Sequence, residues 1–178
     1  MKNIISFLIF AIALNSCNKD NDPKPTNPID QLPPATQTGA NTFGCLLDGE
    51  VFKPSTIPGN RLDCVYQYVD GGYYFSLQAN RRDPNNNLIA LGCSTQNLQI
   101  FEGQTYQLKD RIDGNAYGKY FLNIEFTYTN TFENGELKIT KLDSINNIVS
   151  GTFWFNISDF LGNKHEIREG RFDIQFTN

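Results

Sequence analysis

Histidine, methionine and tryptophan occur once each in the 178 residues. A single imidazole leaves no material for a histidine-rich metal site and little for histidine-based catalysis. Positive charge is also scarce. Fifteen Lys and Arg stand against nineteen Asp and Glu, for a net charge of −4 and a pI near 4.9. That balance carries no electrostatic footprint for nucleic acid, and this class of partner is excluded. Beyond the N-terminus no apolar run approaches the roughly 18–20 residues that a membrane-spanning helix needs. No window there shows a 3.6-residue apolar stripe either. What is present, 39% hydrophobic and 13% aromatic residues, is the composition of one globular domain.

The N-terminus reads as an address. Lys2 supplies a positive start, and Ile4 to Leu14 is apolar but for Ser6. The run is too short to span a bilayer and fits the apolar region of a secretory signal peptide. Ala11-Ile12-Ala13 has the small-x-small form of an ordinary cleavage site. Leu14-Asn15-Ser16-Cys17 looks like a bacterial lipobox, and this reading also explains a Cys placed where the apolar run stops. The expectation is a lipoprotein signal peptide over 1–16, with fatty acyl chains such as palmitate carried on Cys17. Several chains on one residue make a membrane anchor effectively permanent.

From residue 17 to 40 the composition changes, and five of the eight prolines fall here. So little apolar material cannot offset its ordering entropy, so this stretch is expected to be a flexible, extended tether. The segment 41–178 reads as a single all-β domain. Leu62, Cys64, Tyr66 and Tyr68 alternate with polar neighbours, as do Tyr73, Phe75, Leu77 and Ala79. The same holds for Phe172, Ile174 and Phe176, and for Tyr120, Leu122, Ile124, Phe126 and Tyr128 within an expected strand 118–129. Period-two alternation marks strands with one buried face. Asp48-Gly49, Asp70-Gly71, Asn134-Gly135, Asn146-Asn147 and Gly162-Asn163 supply residues that accept positive φ in tight turns. Separate strands are expected at 165–169 and 171–177. The pattern indicates an antiparallel β-sandwich, with a closed or partly open antiparallel barrel as the alternative.

Three cysteines remain once Cys17 is lipidated, all on the apolar phase of their strands. An oxidising compartment permits a bridge. Cys45–Cys64 is the expected pair because their strands are near in sequence, with Cys93 as the alternative partner; three buried free thiols are the other reading.

Two segments carry a family resemblance. Leu32-Pro33-Pro34-Ala35-Thr36-Gln37-Thr38-Gly39-Ala40-Asn41-Thr42-Phe43-Gly44-Cys45-Leu46-Leu47-Asp48-Gly49 opens the domain. Ile148-Val149-Ser150-Gly151-Thr152-Phe153-Trp154-Phe155 and Glu169-Gly170-Arg171-Phe172-Asp173-Ile174 close it. Together these resemble an uncharacterised family of Bacteroidota lipoproteins, a domain of unknown function. The resemblance implies a lipid-anchored envelope protein and brings no catalytic residues. Lys19-Asp20-Asn21-Asp22 similarly resembles the export signal of surface-exposed Bacteroidota lipoproteins. The expected location is the outer membrane, at the cell surface, with a periplasm-facing anchor as the alternative.

Candidate chemistry is sparse. Asp110-Arg111-Ile112-Asp113-Gly114-Asn115 offers two carboxylates in a turn but lacks the full ligand pattern of a calcium loop. His165-Glu166 reads as a polar pair at a strand end. Asp143-Ser144-Ile145 resembles an O-glycosylation acceptor of Bacteroidota. Glu102, Glu125, Glu133, Glu136, Asp143 and Asp159 could supply a glycosidase pair only if the fold joined two of them across a cleft. The aromatics point further. Tyr74, Phe121 and Trp154 lie on the polar phase of their strands, and exposed aromatic faces stack on sugars and peptides. These three are the candidate ligand platform. The expected function is a non-enzymatic binding or structural module for a glycan or protein ligand, with no cofactor or metal. A lipocalin-like carrier of a small apolar ligand and a glycan or peptide hydrolase are the alternatives.

Overall fold

The computed structural model describes residues 27–55 and 62–178. Cys17, the lipobox and the first part of the expected tether lie outside the described residues.

The alternating segments form two antiparallel sheets packed face to face. The six-stranded sheet contains β1 (Thr42–Leu47), β2 (Glu50–Phe52), β6 (Thr105–Gln107), β9 (Gly135–Asp143), β10 (Ile148–Ser158) and β11 (Lys164–Gln175), in the order β2-β1-β11-β10-β9-β6. The five-stranded sheet contains β3 (Leu62–Val69), β4 (Gly72–Arg82), β5 (Leu88–Gln96), β7 (Asn115–Leu122) and β8 (Glu125–Tyr128), in the order β3-β4-β5-β7-β8. The architecture is the antiparallel β-sandwich, and the sheets do not close into a barrel. Among the described residues, single parallel bridges, Val65 with Thr177 and Leu108 with Ala116, join the sheets at their corners.

The interior is filled from both inner faces. Phe43, Phe52, Phe153, Phe155 and Phe172 of the six-stranded sheet meet Phe75, Leu77 and Leu91 of the other, all buried. Phe75 and Phe172 come within 6.3 Å, ring centre to ring centre, across the gap. Each such side chain contributes about 1.5–3 kcal/mol by leaving water. The rings interlock across the space between the sheets, Phe153 lying near both Phe43 and Phe172.

The expected turns at Asp48-Gly49 and Asp70-Gly71 have positive φ at both positions, the two-residue geometry that matches strand twist. Three local expectations are corrected. The expected strand 118–129 is a hairpin, β7 turning into β8 at Asn123 (φ 54°) and Ile124, with Leu122 opposite Glu125. A two-residue turn reverses the phase, so Phe126 and Tyr128 lie on the same face as Phe121, outside the core. Gly135 is no turn residue; it opens β9, where a Cβ would run into the Cβ of Phe155. Segments 165–169 and 171–177 belong largely to one strand, β11, with one extra residue at Glu169 (φ 55°) against both neighbours. This is a β-bulge, and it has a geometric result. Arg168 and Arg171, three apart, both point outward where a regular strand would divide them between faces.

The cysteine expectation is also corrected. Cys45, Cys64 and Cys93 are free and buried. Cys45 sits in the six-stranded sheet beside β2 and β11, and Cys64 lies on the edge strand of the other sheet. Proximity in sequence did not become pairing. Burial pushes all three thiols well above the usual range, so they pack as small apolar side chains.

The segment expected to end a flexible tether is instead fastened to the sandwich from at least Asn27. A short 3-10 turn, Pro28–Gln31, is capped by the Asn27 side chain. Leu32 is buried, and Pro33 lies against Gly44 so closely that a Cβ there would be 2.5 Å from the ring. Residues 36–40 then wrap the carboxylate of Asp173. Thr36 Oγ1 (2.6 Å), the Thr38 N–H (2.9 Å), the Gly39 N–H (2.8 Å), the Ala40 N–H (3.2 Å) and Ser150 Oγ (2.8 Å) all donate to it. Composition cannot register this, because the acceptor that orders the segment is more than 130 residues away in sequence.

Candidate functional site

Outside the core, polar and aromatic side chains gather on the outer faces of both sheets. The outer face of the six-stranded sheet carries a groove of about 420 Å³. Its floor is Thr152 and Trp154 of β10, its rim is Thr105 of β6 with Glu136 and Lys138 of β9, and its far side is Arg168 and Arg171 of β11 beside Ala35 of the fastened segment. Alternation along β10 places Trp154 here because Phe153 and Phe155 point into the core. The bulge at Glu169 brings both arginines to this side.

Trp154 is held in place on two sides. Its indole Nε1 donates to Glu136 Oε2 (3.4 Å), and the Arg168 guanidinium lies 5.5 Å from the ring centre. Arg168 is fixed in turn. It donates to the carbonyls of Phe155 (3.1 Å) and Ile167 (2.9 Å) and to Asn156 Oδ1 (2.6 Å), and it pairs with Glu166 (3.2 Å). Glu136 also accepts from Gln107 (2.9 Å), and Arg171 pairs with Glu169 (3.2 Å). Lys138 is exposed and has no ion-pair partner among the described residues. A half-exposed indole ringed by fixed polar groups can stack on a sugar or apolar ring with little ordering cost. Glu169 in the left-handed region, a conformation costing a non-glycine residue about 1–2 kcal/mol, sits at this groove.

The candidate platform of three aromatics is not one surface. Trp154 faces outward from one sheet, Tyr74 and Phe121 from the other. Phe121 stands in register with Ala90 and Asn80, six positions along β4 from Tyr74, so about 20 Å separates them. Phe121 has neighbours that sequence phase misassigned. Its ring meets Phe126 at 4.7 Å, Phe126 meets Tyr128 at 6.2 Å, and Tyr128 meets Tyr117 at 5.5 Å, with Arg111 stacked on Tyr128 at 4.7 Å. The signal that could have found them is Asn123, a residue that tolerates the left-handed turn. On the same face Lys119 reaches across β5 to Ser76 Oγ (2.9 Å), and burial brings its ammonium down to about 8.

The remaining candidates are scattered. His165 lies between two carboxylates, Nδ1 2.7 Å from Asp48 and Nε2 3.5 Å from Asp159, stacked on Tyr120 at 4.6 Å. The sequence pair His165-Glu166 is therefore divided, Glu166 serving Arg168. Burial, then Asp159 and Asp48, push the Tyr120 hydroxyl up to about 12. Asp110 accepts from Thr131, and Asp143 caps its own turn through the Ile145 and Asn146 N–H groups. Glu102 pairs with Lys141 at 3.7 Å, and Glu133 holds Asn130. Of the six acidic candidates only Glu136 lines the groove. No group of three or more His, Cys, Asp or Glu among the described residues could hold a metal ion. Comparison with family models, with curated proteins and with solved structures finds no match.

Proposed function

We propose that this protein is a lipid-anchored, non-enzymatic binding module of the bacterial cell envelope, which presents the Trp154 groove to a glycan. The observation that carries the reading is the indole itself, held by Glu136 and Arg168 on a face where no core packing requires it. The lipobox and the Lys19-Asp20-Asn21-Asp22 segment support an outer-membrane, surface-facing anchor at Cys17. The Bacteroidota lipoprotein resemblance points the same way.

Two measurements test the two halves of the proposal. In cells fed a radiolabelled fatty acid, the wild-type chain is expected to take up label and partition into detergent, and Cys17→Ala to do neither. A labelled Cys17→Ala chain would defeat the anchor. On a glycan array, Trp154→Ala is expected to weaken any binding at least tenfold, about 1.4 kcal/mol, with an unchanged circular dichroism spectrum. Tyr74→Ala, on the opposite face, should leave binding intact. The reverse pattern would move the site to the five-stranded sheet.

A further inference from the structure

We propose that the open edge of β3 at Tyr66–Val69 is a docking site for an extended peptide, whose backbone adds a strand to the five-stranded sheet.

The backbone chemistry selects the occupant. The Tyr66 N–H donates to the Thr177 carbonyl and the Thr177 N–H donates to the Cys64 carbonyl, both at 2.9 Å. Successive residues of a strand turn their backbone groups to opposite sides. Cys64, Tyr66 and Tyr68 therefore face away from β4. Thr177 covers the first part of this row. The carbonyl of Tyr66 and both backbone groups of Tyr68 have no backbone partner among the described residues. An extended main chain presents donors and acceptors at the spacing this row needs, and a sugar does not. Thr177 shows that an extended segment already docks on this row, so a peptide would continue a ladder that has begun.

The surroundings agree. β3 has eight residues, whereas the other edge strands β2, β6 and β8 have three, three and four. Proteins guard long edges with Lys, Pro or bulges. Tyr66-Gln67-Tyr68-Val69 has none of these, and Tyr68 and Val69 are 63% and 41% exposed. Beside the edge lies a groove of about 390 Å³ lined by Tyr66, Tyr68, Tyr73, Asn147 and Phe176. A side chain from the added strand would lie over these rings, which pack on one another at 4.8–5.8 Å and so form a preformed aromatic surface. Strand addition of this kind draws affinity from main-chain bonds and selectivity from alternate side-chain pockets. The expected ligand is thus an extended peptide with an apolar or aromatic residue at one fixed position.

A phage-displayed library of random heptapeptides, panned on the full-length chain in detergent, tests this. Enriched peptides are expected to slow amide hydrogen exchange at Tyr68 at least tenfold. N-methylation of the peptide residue facing β3 should weaken binding at least tenfold. So should Tyr68→Lys and Val69→Lys, two exposed positions where the fold persists. Trp154→Ala should have no effect, which separates this site from the glycan groove. The proposal is overturned by a panning without enrichment, or by binding that both lysine variants retain. It is equally overturned by slowed Tyr68 exchange on self-association without peptide, which would give the edge to a second copy of the chain.

Discussion

Asp173→Ala is expected to lower the stability of the sandwich by about 3–5 kcal/mol, measured by urea unfolding at neutral pH. The side chain is fully buried, and the variant would strand donors from Thr36, Thr38, Gly39, Ala40 and Ser150 at once. Burial alone would raise the carboxyl's pKa. The hydrogen bonds from Thr36, Thr38, Ser150 and Gly39 outweigh that and hold it well below the usual range. A depressed carboxylate stabilises the fold fully above its unfolded value, about 3.9, and loses that contribution as pH falls through the folded value. The difference between wild type and Asp173→Ala should therefore be constant from pH 7 down to about 5 and shrink progressively below pH 4. A loss under about 1 kcal/mol, or a gap that ignores acid, would mean that the loop 36–40 does not depend on this carboxylate.

Gly92→Ala should be as damaging by another route. Gly92 lies in β5, between β4 and β7, and a Cβ there would be driven into the Leu77 carbonyl oxygen and lie 2.8 Å from its carbon. The obstacle is backbone, so no rotamer change relieves it and the two central strands must part. The expected cost is more than about 3 kcal/mol, seen as a lower urea midpoint or as failure to accumulate folded chain. Gly49→Ala is the comparison. Nothing lies within 4 Å of its would-be Cβ, and only the positive φ of 83° opposes it, so about 1 kcal/mol is expected. Equal losses in the two variants would show that close approach is not what Gly92 serves.

The sandwich was legible because burial on one face imposes period two, and turn residues with positive φ divide the runs. Legibility failed where tertiary partners decide. Asn123-Ile124 looked like the middle of a strand because Ile124 is apolar, yet it is 80% exposed at a hairpin tip. That one missed turn put Phe126 and Tyr128 on the wrong side. Residues 32–40 looked unstructured because their acceptor, Asp173, stands near the other end of the chain. The family resemblance rested on the segments holding Thr36–Ala40, Ser150 and Asp173, and these converge on a single carboxylate. Trp154 could be assigned to an outer face from its phase alone. Its partners Glu136 and Arg168, and the bulge that aims Arg168 and Arg171 together, required the register of three strands.

Fastening the chain from Asn27 onward shortens its leash. On the proposed attachment at Cys17, ten residue steps separate the anchor from Asn27, at most about 35 Å of contour. On that proposal a body held on so short a lead would not sweep far from the lipid, and it would hang from the 3-10 turn beside β2. Pulling on that lead would load Leu32 and then the Asp173 clasp before it reached β1, so one buried carboxylate would stand as the last fastening ahead of the sheet.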